Sequence, residues 1–196
     1  MRFKSSTLIG SLGRGTASKP IGDIDLFVHL HVDKDLWETS YRSDSKKFLY
    51  RVREALNSTS TVQKIGAGGQ AVRLFYADGL AVDVAAAEKY TSGDYGIPDG
   101  SGGWQTTNPL RHAEYLNERN ALVSGDLKRV IQIAKQLNRA HSSRLSSFHL
   151  EMIAARTFAS LGNDRRRALE VFFDFNRYNL SVQDPARDTA ATFLRT

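Results

Sequence analysis

Hydrophobic and polar side chains alternate along roughly the first 90 residues, which is the pattern of half-buried β-strands. Residues 23–32 are the clearest example: one face carries Ile24, Leu26, Val28, Leu30 and Val32, and the other carries Asp23, Asp25, Phe27, His29 and His31. Strands are also predicted at residues 61–65, 70–76 and 80–85, with turns at 66–69 and 77–79. Residues 44–56 instead have helical spacing, with Asp44 or Ser45 as the N-cap.

The periodicity becomes helical after residues 91–108, a stretch rich in Gly, Ser and Asp that we interpret as a long loop. Helices are predicted at residues 109–121, 125–140, 146–161, 164–178 and 185–194. A mixed sheet followed by a helical bundle indicates an α+β fold. We expect a sheet lobe over residues 1–103 and a helical lobe over residues 104–196.

Composition excludes several classes of protein. The 196 residues are 41% hydrophobic and 24% charged, which is typical of a globular chain. Cysteine is absent, so disulfides, cysteine nucleophiles and zinc–thiolate sites are excluded. No apolar run approaches the ~18 residues that span a bilayer, and the first residues lack a secretory signal. We therefore expect a cytoplasmic protein without membrane contact.

The net charge of +6 is concentrated in the second half of the chain. Residues 1–110 carry 13 basic and 12 acidic side chains, a balance of +1, whereas residues 111–196 carry 14 and 9, a balance of +5. The positive charge of residues 111–196 suits an anionic partner, either a nucleoside triphosphate or a nucleic acid. The alternative is a basic helix face that is simply solvated.

Three carboxylates are candidates for chemistry. Asp23 and Asp25 are two residues apart on a predicted strand and project to one face, where they repel each other. Asp83 stands alone in the apolar strand Leu80-Ala81-Val82-Asp83-Val84-Ala85. Oxygen ligands of this type suit Mg²⁺, and three of them on one sheet face would hold two metals for phosphoryl transfer. The alternative is that they are solubility charges on edge strands.

A glycine-rich stretch precedes the aspartates. Gly10 permits a close backbone approach, and the Ser11 hydroxyl with neighbouring N–H groups suits phosphate oxygens. Gly10-Ser11 followed by Asp23-Ile24-Asp25 resembles the signature of the polymerase-β-type nucleotidyltransferases. The resemblance implies that Gly10 and Ser11 hold a triphosphate, and that Asp23, Asp25 and Asp83 bind two Mg²⁺ ions, with Mn²⁺ as a substitute.

The longer stretch from Gly10 to Leu26 is similar to a narrower group, the bacterial cyclic-oligonucleotide synthases related to cyclic GMP–AMP synthase and oligoadenylate synthase. Residues 102–109, followed by His112 and Asn120, resemble the linker of that group. Lys135 lies where the group has a lysine that contacts the triphosphate. In Ser146-Ser147-Phe148-His149, Ser147 would bond phosphate and Phe148, in place of the more usual tyrosine, would stack on the base.

The resemblance implies a polymerase-β-like sheet lobe and a helical lobe, with the active site in the cleft between them. The expected function is Mg²⁺-dependent conversion of nucleoside triphosphates into a cyclic or short linear oligonucleotide second messenger, with release of pyrophosphate, in signalling of the antiviral-defence type. Asp83 would take the proton of the attacking hydroxyl. Nucleotidyl transfer to RNA or protein, and a truncated nucleotide-binding relative, are the alternatives. Only nine residues precede Gly10, so the N-terminal spine helix of family members is either absent or not included in this sequence.

Overall fold

The computed structural model describes residues 1–58, 61–142, 145–158, 160–162 and 164–176. The chain divides into two compact units. The first contains Met1–Gly10 and Ile21–Asn108, and the second contains Ser11–Pro20 and the chain from Pro109 onward. Each unit has its own hydrophobic core.

A mixed sheet forms the first unit. Five strands are ordered β1-β2-β5-β4-β3, and β6 and β7 extend from β5. The β2–β5 pair is parallel, and the other pairs are antiparallel. The strands are β1 Arg2–Leu8, β2 Asp23–His31, β3 Lys64–Gly68, β4 Ala71–Phe75, β5 Ala81–Lys89, β6 Tyr95–Pro98 and β7 Trp104–Thr107.

The helices of the first unit are short except for one. The four-residue helix α1, Gly10–Gly13, begins in this unit at Gly10, and its other residues belong to the second unit. The three residues Lys34–Leu36 form α2, which continues into a π-helical turn at Trp37–Tyr41. The longer helix α3, Ser45–Leu56, packs its apolar face on the sheet through Phe48, Leu49 and Val52, which are buried with Val72, Leu74 and Val84. Its N-cap is Asp44, whose side chain accepts a hydrogen bond from the Lys46 N–H, as predicted.

The structure corrects two predictions in this unit and adds elements that were not predicted. Residues 66–68 were predicted as turn but belong to β3, because the hairpin turns at Gly69 and Gln70, which lie between the paired residues Gly68 and Ala71. Residues 91–108 were predicted as loop but contain β6 and β7, which pair with each other. The strand β1, and the helical segment that begins at Lys34, were not predicted at all.

Helices build the second unit. They are α4 Pro109–Leu122, α5 Leu127–Ala140, α6 Ser147–Thr157 and α7 Arg165–Asn176. Their shared core includes Leu116, Val130, Ile131, Leu150 and Phe172. These four helices were predicted, whereas the predicted helix at residues 185–194 lies outside the described residues. No helix of the described part of the chain is long and apolar enough to cross a membrane.

The first unit extends beyond residue 103, where the sequence placed the end of the sheet lobe. Trp104 to Thr107 pair with β6 and therefore belong to the sheet, and the unit ends at Asn108. Residues 11–20 belong to the second unit although they precede most of the sheet in sequence. The α+β class and the order of a mixed sheet followed by helices are confirmed.

Candidate active site

The three predicted aspartates lie side by side in the first unit. Asp23 and Asp25 are on β2, and Asp83 is on the neighbouring parallel strand β5, where it is the register partner of Asp25. Register partners on adjacent strands, and residues two apart on one strand, project to the same face of a sheet. The shared face that the alternation predicted is therefore present, at the beginning of both strands.

A cation already contacts these carboxylates. Arg73 on β4 is the register partner of Asp83. Its Nε–H donates to Asp83 Oδ1 at 2.6 Å, and one terminal nitrogen donates to Oδ2. The same nitrogen lies 3.7 Å from Asp23 Oδ2. The hydrogen bond with Asp83 raises the pKa of Arg73, so the guanidinium stays charged. We call Asp23, Asp25, Asp83 and Arg73 the carboxylate cluster.

The donor set of the carboxylate cluster fits a hard divalent cation, because carboxylate oxygens are the protein ligands that Mg²⁺ prefers. Among the residues that the structure describes, no group of three or more His, Cys, Asp or Glu side chains converges closely enough to hold a metal ion. Both oxygens of the Asp83 carboxylate accept hydrogen bonds from Arg73. Metal binding by the three aspartates remains a prediction.

Gly10 contacts the cluster from the end of β1. Its φ is +60°, and a Cβ built on it would lie only 1.7 Å from Asp25 Oδ2. The preceding residue, Ile9, donates its N–H to the Asp25 carbonyl oxygen at 2.9 Å. A glycine is required here both by the backbone conformation and by the space available. Gly10 therefore lies close to the Asp25 carboxylate, and its part in holding a triphosphate remains a prediction.

Ser11 belongs to the second unit, where it begins a turn that ends at Thr16. Its carbonyl oxygen accepts the Thr16 N–H at 2.8 Å. The Ser11 residue is partly exposed, whereas Thr16 is fully buried. Phosphate binding by the Ser11 hydroxyl remains a prediction.

Lys135 lies in a buried environment in the second unit. On α5 it is 5% exposed, and Nζ donates to the Thr16 carbonyl oxygen at 3.1 Å, to Thr16 Oγ1 at 3.2 Å and to Glu151 Oε1. An ammonium group has three donors, so all of them are in use. A phosphate contact would require Lys135 to give up one of these bonds. The role that the resemblance implies for Lys135 remains a prediction.

Glu151 on α6 is the centre of this buried group. It is 0% exposed, and it accepts hydrogen bonds from Arg14 Nε, from Lys135 Nζ and, at 2.7 Å, from Thr16 Oγ1. We call Arg14, Thr16, Lys135 and Glu151 the Glu151 cluster. These bonds join the 11–20 segment to α5 and α6 within the second unit.

The pKa values in the Glu151 cluster reflect burial and ion pairing. Burial acts to raise the pKa of Glu151, but attraction to Arg14 and Lys135 outweighs it, so the net shift is downward. Burial also lowers the pKa of Lys135, and the attraction of Glu151 opposes this shift. The arrangement therefore holds a charged carboxylate inside the unit with every partner supplied by the protein.

Phe148 and Ser147 begin α6. The Phe148 ring lies 5.2 Å from the Arg14 guanidinium carbon and 5.3 Å from the ring centre of His112, both in the second unit. Ser147 is exposed. Burial lowers the pKa of His112, and repulsion from Arg14 adds to this effect. Base stacking by Phe148 and phosphate binding by Ser147 remain predictions.

The structure thus groups the predicted residues into two sets. Gly10, Asp23, Asp25 and Asp83 lie together in the first unit, whereas Ser11, Lys135, Ser147 and Phe148 belong to the second.

Sequence reasoning missed Arg73 and Glu151, although each left a signal. The turn at residues 77–79 places Arg73 opposite Asp83, and Glu151 is an acid directly before the apolar residues 152–155.

The sheet and its aspartates define the class of a polymerase-β-like nucleotidyltransferase fold. Residues 1–120 match the family described as Second Messenger Oligonucleotide or Dinucleotide Synthetase domain, and the chain belongs to this family. The family membership expected from the glycine–serine and aspartate motifs is therefore confirmed.

A curated relative and several solved structures are similar to the chain. A probable cyclic nucleotide synthase of Bacillus cereus (strain VD146) is 24% identical over 210 residues, which cover 90% of this chain and 63% of the relative. The chain therefore spans less than two thirds of that relative.

Among solved structures, CdnC of Escherichia coli MS115-1 in complex with HORMA-deltaN has a TM-score of 0.69 at 23% identity, with 89% of this chain and 56% of that chain covered. A CD-NTase CdnG of Bradyrhizobium diazoefficiens in complex with GTP has a TM-score of 0.69 at 15% identity, covering 89% and 63%. These likenesses confirm the predicted fold.

Proposed function

We propose that this chain carries the catalytic core of a nucleotidyltransferase that joins nucleoside triphosphates into a cyclic or short linear oligonucleotide and releases pyrophosphate. The observation that carries the proposal is the in-register placement of Asp25 and Asp83 on parallel strands, with Asp23 on the same face. Membership in a family of second-messenger synthetases supports the same activity. The names of the Bacillus cereus relative and of the CdnG–GTP complex agree with it.

Asp23, Asp25 and Asp83 are the residues that would hold Mg²⁺ or Mn²⁺. A bound divalent ion would lower the pKa of the attacking hydroxyl and neutralise charge on the phosphates. The Asp83 carboxylate is proposed to accept the proton of that hydroxyl, once Arg73 has turned away from it. Gly10 keeps the Asp25 carboxylate in place, because its missing Cβ leaves the space that Asp25 Oδ2 fills.

The remaining proposed contacts bind and orient the nucleotide. The Ser11 hydroxyl and the Ser147 hydroxyl are proposed to donate to phosphate oxygens. Phe148 is proposed to stack on the base, a contact worth about 1–3 kcal/mol. Lys135 is proposed to act through Thr16, by keeping the turn that begins at Ser11 in its conformation.

The test incubates the protein with labelled nucleoside triphosphates and Mg²⁺ or Mn²⁺, and identifies the labelled products. We expect small oligonucleotides and pyrophosphate. The matched control is Asp23→Asn together with Asp25→Asn, which keeps the side-chain size and removes both negative charges.

Two other outcomes would overturn the proposal. Labelled RNA or protein would assign the chain to transfer onto a macromolecule. Products that persist in the double variant would show that the aspartates do not carry the reaction.

A further inference from the structure

Basic side chains gather on the sheet face that carries the aspartates, toward the far end of β2. His29 lies on this face four residues beyond Asp25, which corresponds to about 13 Å along the strand. Ser5 on β1 is the register partner of His29, and the register shift between Phe3 and Ser5 places Lys4 beside the same histidine. This position is separate from the carboxylate cluster but lies on the same face of the sheet.

Lys89 and Tyr95 approach His29 from the β5 side of β2. They are register partners on β5 and β6, and the Lys89 ammonium nitrogen lies 5.7 Å from the centre of the Tyr95 ring. The Tyr95 ring in turn lies 5.6 Å from the His29 ring. We call Lys4, His29, Lys89 and Tyr95 the basic patch.

The two lysines of the basic patch have no acidic partner in the part of the chain that the structure describes. Burial lowers the pKa of His29, and repulsion from Lys89, Lys4 and His31 adds to this effect. Like charges that gather without an anion repel each other, and an anionic ligand relieves this repulsion. The basic patch therefore suits a negatively charged ligand.

Two acids near the end of β2 are engaged with other groups. Asp33 lies 3.6 Å from a guanidinium nitrogen of Arg2. Glu88 accepts the Val32 N–H at 2.9 Å. Because Glu88 directly precedes Lys89 on β5, the two side chains project to opposite faces of the sheet. These acids leave the positive charge of Lys89 available.

The make-up of the basic patch favours a single-stranded oligonucleotide. Proteins bind such chains through basic side chains that contact the phosphates and aromatic rings that contact the bases. Since β1 and β5 flank β2, Lys4 and Lys89 are about 10 Å apart across two strand spacings and would contact different phosphates. Exposed Ser5 and Thr7, the register partners of His29 and Phe27, continue the polar face along β1 toward Gly10.

A membrane surface fits this face less well. The exposed apolar side chains of β1 are Phe3 and Leu8, whose register partners are Leu30 and Leu26. Those partners alternate with His29 and Phe27 along β2, so Phe3 and Leu8 project to the other face of the sheet. The basic patch therefore lacks an adjacent apolar side chain on β1 that would insert into lipid.

We propose that the basic patch binds the phosphodiester backbone of a single-stranded oligonucleotide, with Lys4 and Lys89 on different phosphates and with His29 and Tyr95 beside a base. Such binding goes beyond the proposed synthesis, which uses nucleoside triphosphates as substrates. It requires neither a metal ion nor the aspartates.

Fluorescence anisotropy of a labelled single-stranded RNA of about ten nucleotides tests this site. The full wild-type chain is titrated in EDTA without nucleoside triphosphates, so that neither metal nor synthesis contributes. We expect saturable binding that weakens with added salt. The dinucleotide ApA, which has a single phosphodiester and so reaches only one of the lysines, should compete at least ~10-fold more weakly.

A double variant, Lys4→Gln with Lys89→Gln, provides the second arm. Two lysine–phosphate contacts on a single strand correspond to a slope of about −1.4 in log affinity against log salt concentration. We expect the variant to lose this part of the slope and to bind at least ~5-fold more weakly. Its melting temperature should change little, because both side chains are exposed.

The matched control is Lys46→Gln with Lys47→Gln on α3, which removes the same charge from exposed positions. Helix α3 packs on the opposite face of the sheet, against Val72, Leu74 and Val84. We expect the control to change the affinity less than ~2-fold, so that the comparison separates the basic patch from the net charge of the chain.

No saturable binding of the RNA, competition by ApA equal to that of the RNA, or equal loss of affinity in the two double variants would each overturn the site. Binding of anionic lipid vesicles in place of RNA, lost in the Lys4/Lys89 variant, would overturn it in favour of a membrane surface. Because metal and triphosphates are absent, each of these failures leaves the proposed synthase activity untouched. Absence of small oligonucleotide products from the wild-type chain would likewise leave this site untouched.

Discussion

Partly exposed charges form the carboxylate cluster of the first unit, whereas largely buried charges form the Glu151 cluster of the second. The side chains of Asp23 and Arg73 are 52% and 46% exposed, but Glu151 and Lys135 are 0% and 5% exposed. Ions that water reaches can exchange partners at little cost, while buried ions are held by the protein alone. We therefore propose a chemical role for the first cluster and a structural role for the second.

Asp83→Asn should give the largest effect and tests the first half of this comparison. The change keeps the shape of the side chain but removes a charge that would bind metal and accept a proton. We expect product formation to fall by at least ~10³-fold, since metal and proton-transfer contributions amount to several kcal/mol.

The melting temperature of the Asp83→Asn protein should change little, because Arg73 is half exposed and can be solvated. Circular dichroism on the samples used for the turnover assay checks this. Residual turnover near the wild-type rate would remove Asp83 from the reaction.

Glu151→Gln tests the second half of this comparison, which is the structural role of the Glu151 cluster. The change leaves Arg14 and Lys135 without their buried anion, and breaking such a buried pair costs about 3–5 kcal/mol. Thermal unfolding should show a decrease in melting temperature on the order of 10 °C.

The matched control for Glu151→Gln is Glu170→Gln on α7, whose pairs with Arg166 and Arg167 are exposed. That change should cost less than about 1 kcal/mol. Equal destabilisation by the two variants would mean that burial does not distinguish the two kinds of ion pair.

Gly10→Ala sharpens the role of close packing at the carboxylate cluster. The new Cβ would overlap Asp25 Oδ2, and alanine at a positive φ adds about 1–2 kcal/mol of strain. We expect the turnover rate to fall by a larger factor than the loss of folding stability alone would produce.

Gly79→Ala separates these two effects, because Gly79 has φ +83° but nothing within 4 Å of a built Cβ. The Gly79→Ala protein should lose stability through backbone strain but keep its turnover rate. A fully active Gly10→Ala protein would contradict the proposed contact.

Arg73→Gln tests whether the cation competes with metal. A unit charge about 4 Å from a divalent ion opposes its binding by about 2 kcal/mol even at the dielectric constant of water, so its removal should tighten Mn²⁺ binding at least ~10-fold. Calorimetry on the nucleotide-free protein measures this without reference to activity.

The control for Arg73→Gln is Arg42→Gln, which breaks an exposed pair with Glu38 away from the aspartates. It should leave the Mn²⁺ affinity unchanged. Weaker Mn²⁺ binding by Arg73→Gln would show that Arg73 supports the metal ligands instead of competing for them.

Lowering the pH should produce the smallest of the expected effects. The pKa of Glu151 lies below its ordinary value in the folded chain, so its stabilising contribution is present above the ordinary value, about 4.3, and decreases as the pH falls below it. The melting-temperature difference between wild type and Glu151→Gln should therefore shrink as the pH falls from 6 to 3. A constant difference would contradict the assigned ion pair.

The sequence predicts the carboxylate cluster better than the Glu151 cluster for a physical reason. Period-two alternation places Asp23 and Asp25 on one face of β2, and it places Asp83 on the polar face of β5, although the parallel pairing that brings the two strands together is not local. Glu151, Lys135 and Thr16 are far apart in sequence, so only tertiary packing brings them together.

Local patterns also explain the misassigned elements. The segment 91–108 was predicted as a loop because its glycines obscure two four-residue strands. The strand β1 was missed because its seven side chains are all exposed, so no hydrophobic face marks it.

The most direct test of the comparison measures Asp25→Asn and Glu151→Gln side by side, for product formation at 15 °C and for thermal unfolding. The account predicts that Asp25→Asn abolishes the product and melts like wild type, whereas Glu151→Gln melts on the order of 10 °C lower and still forms product while folded. A folded Glu151→Gln protein without activity, together with an active Asp25→Asn protein, would contradict the account.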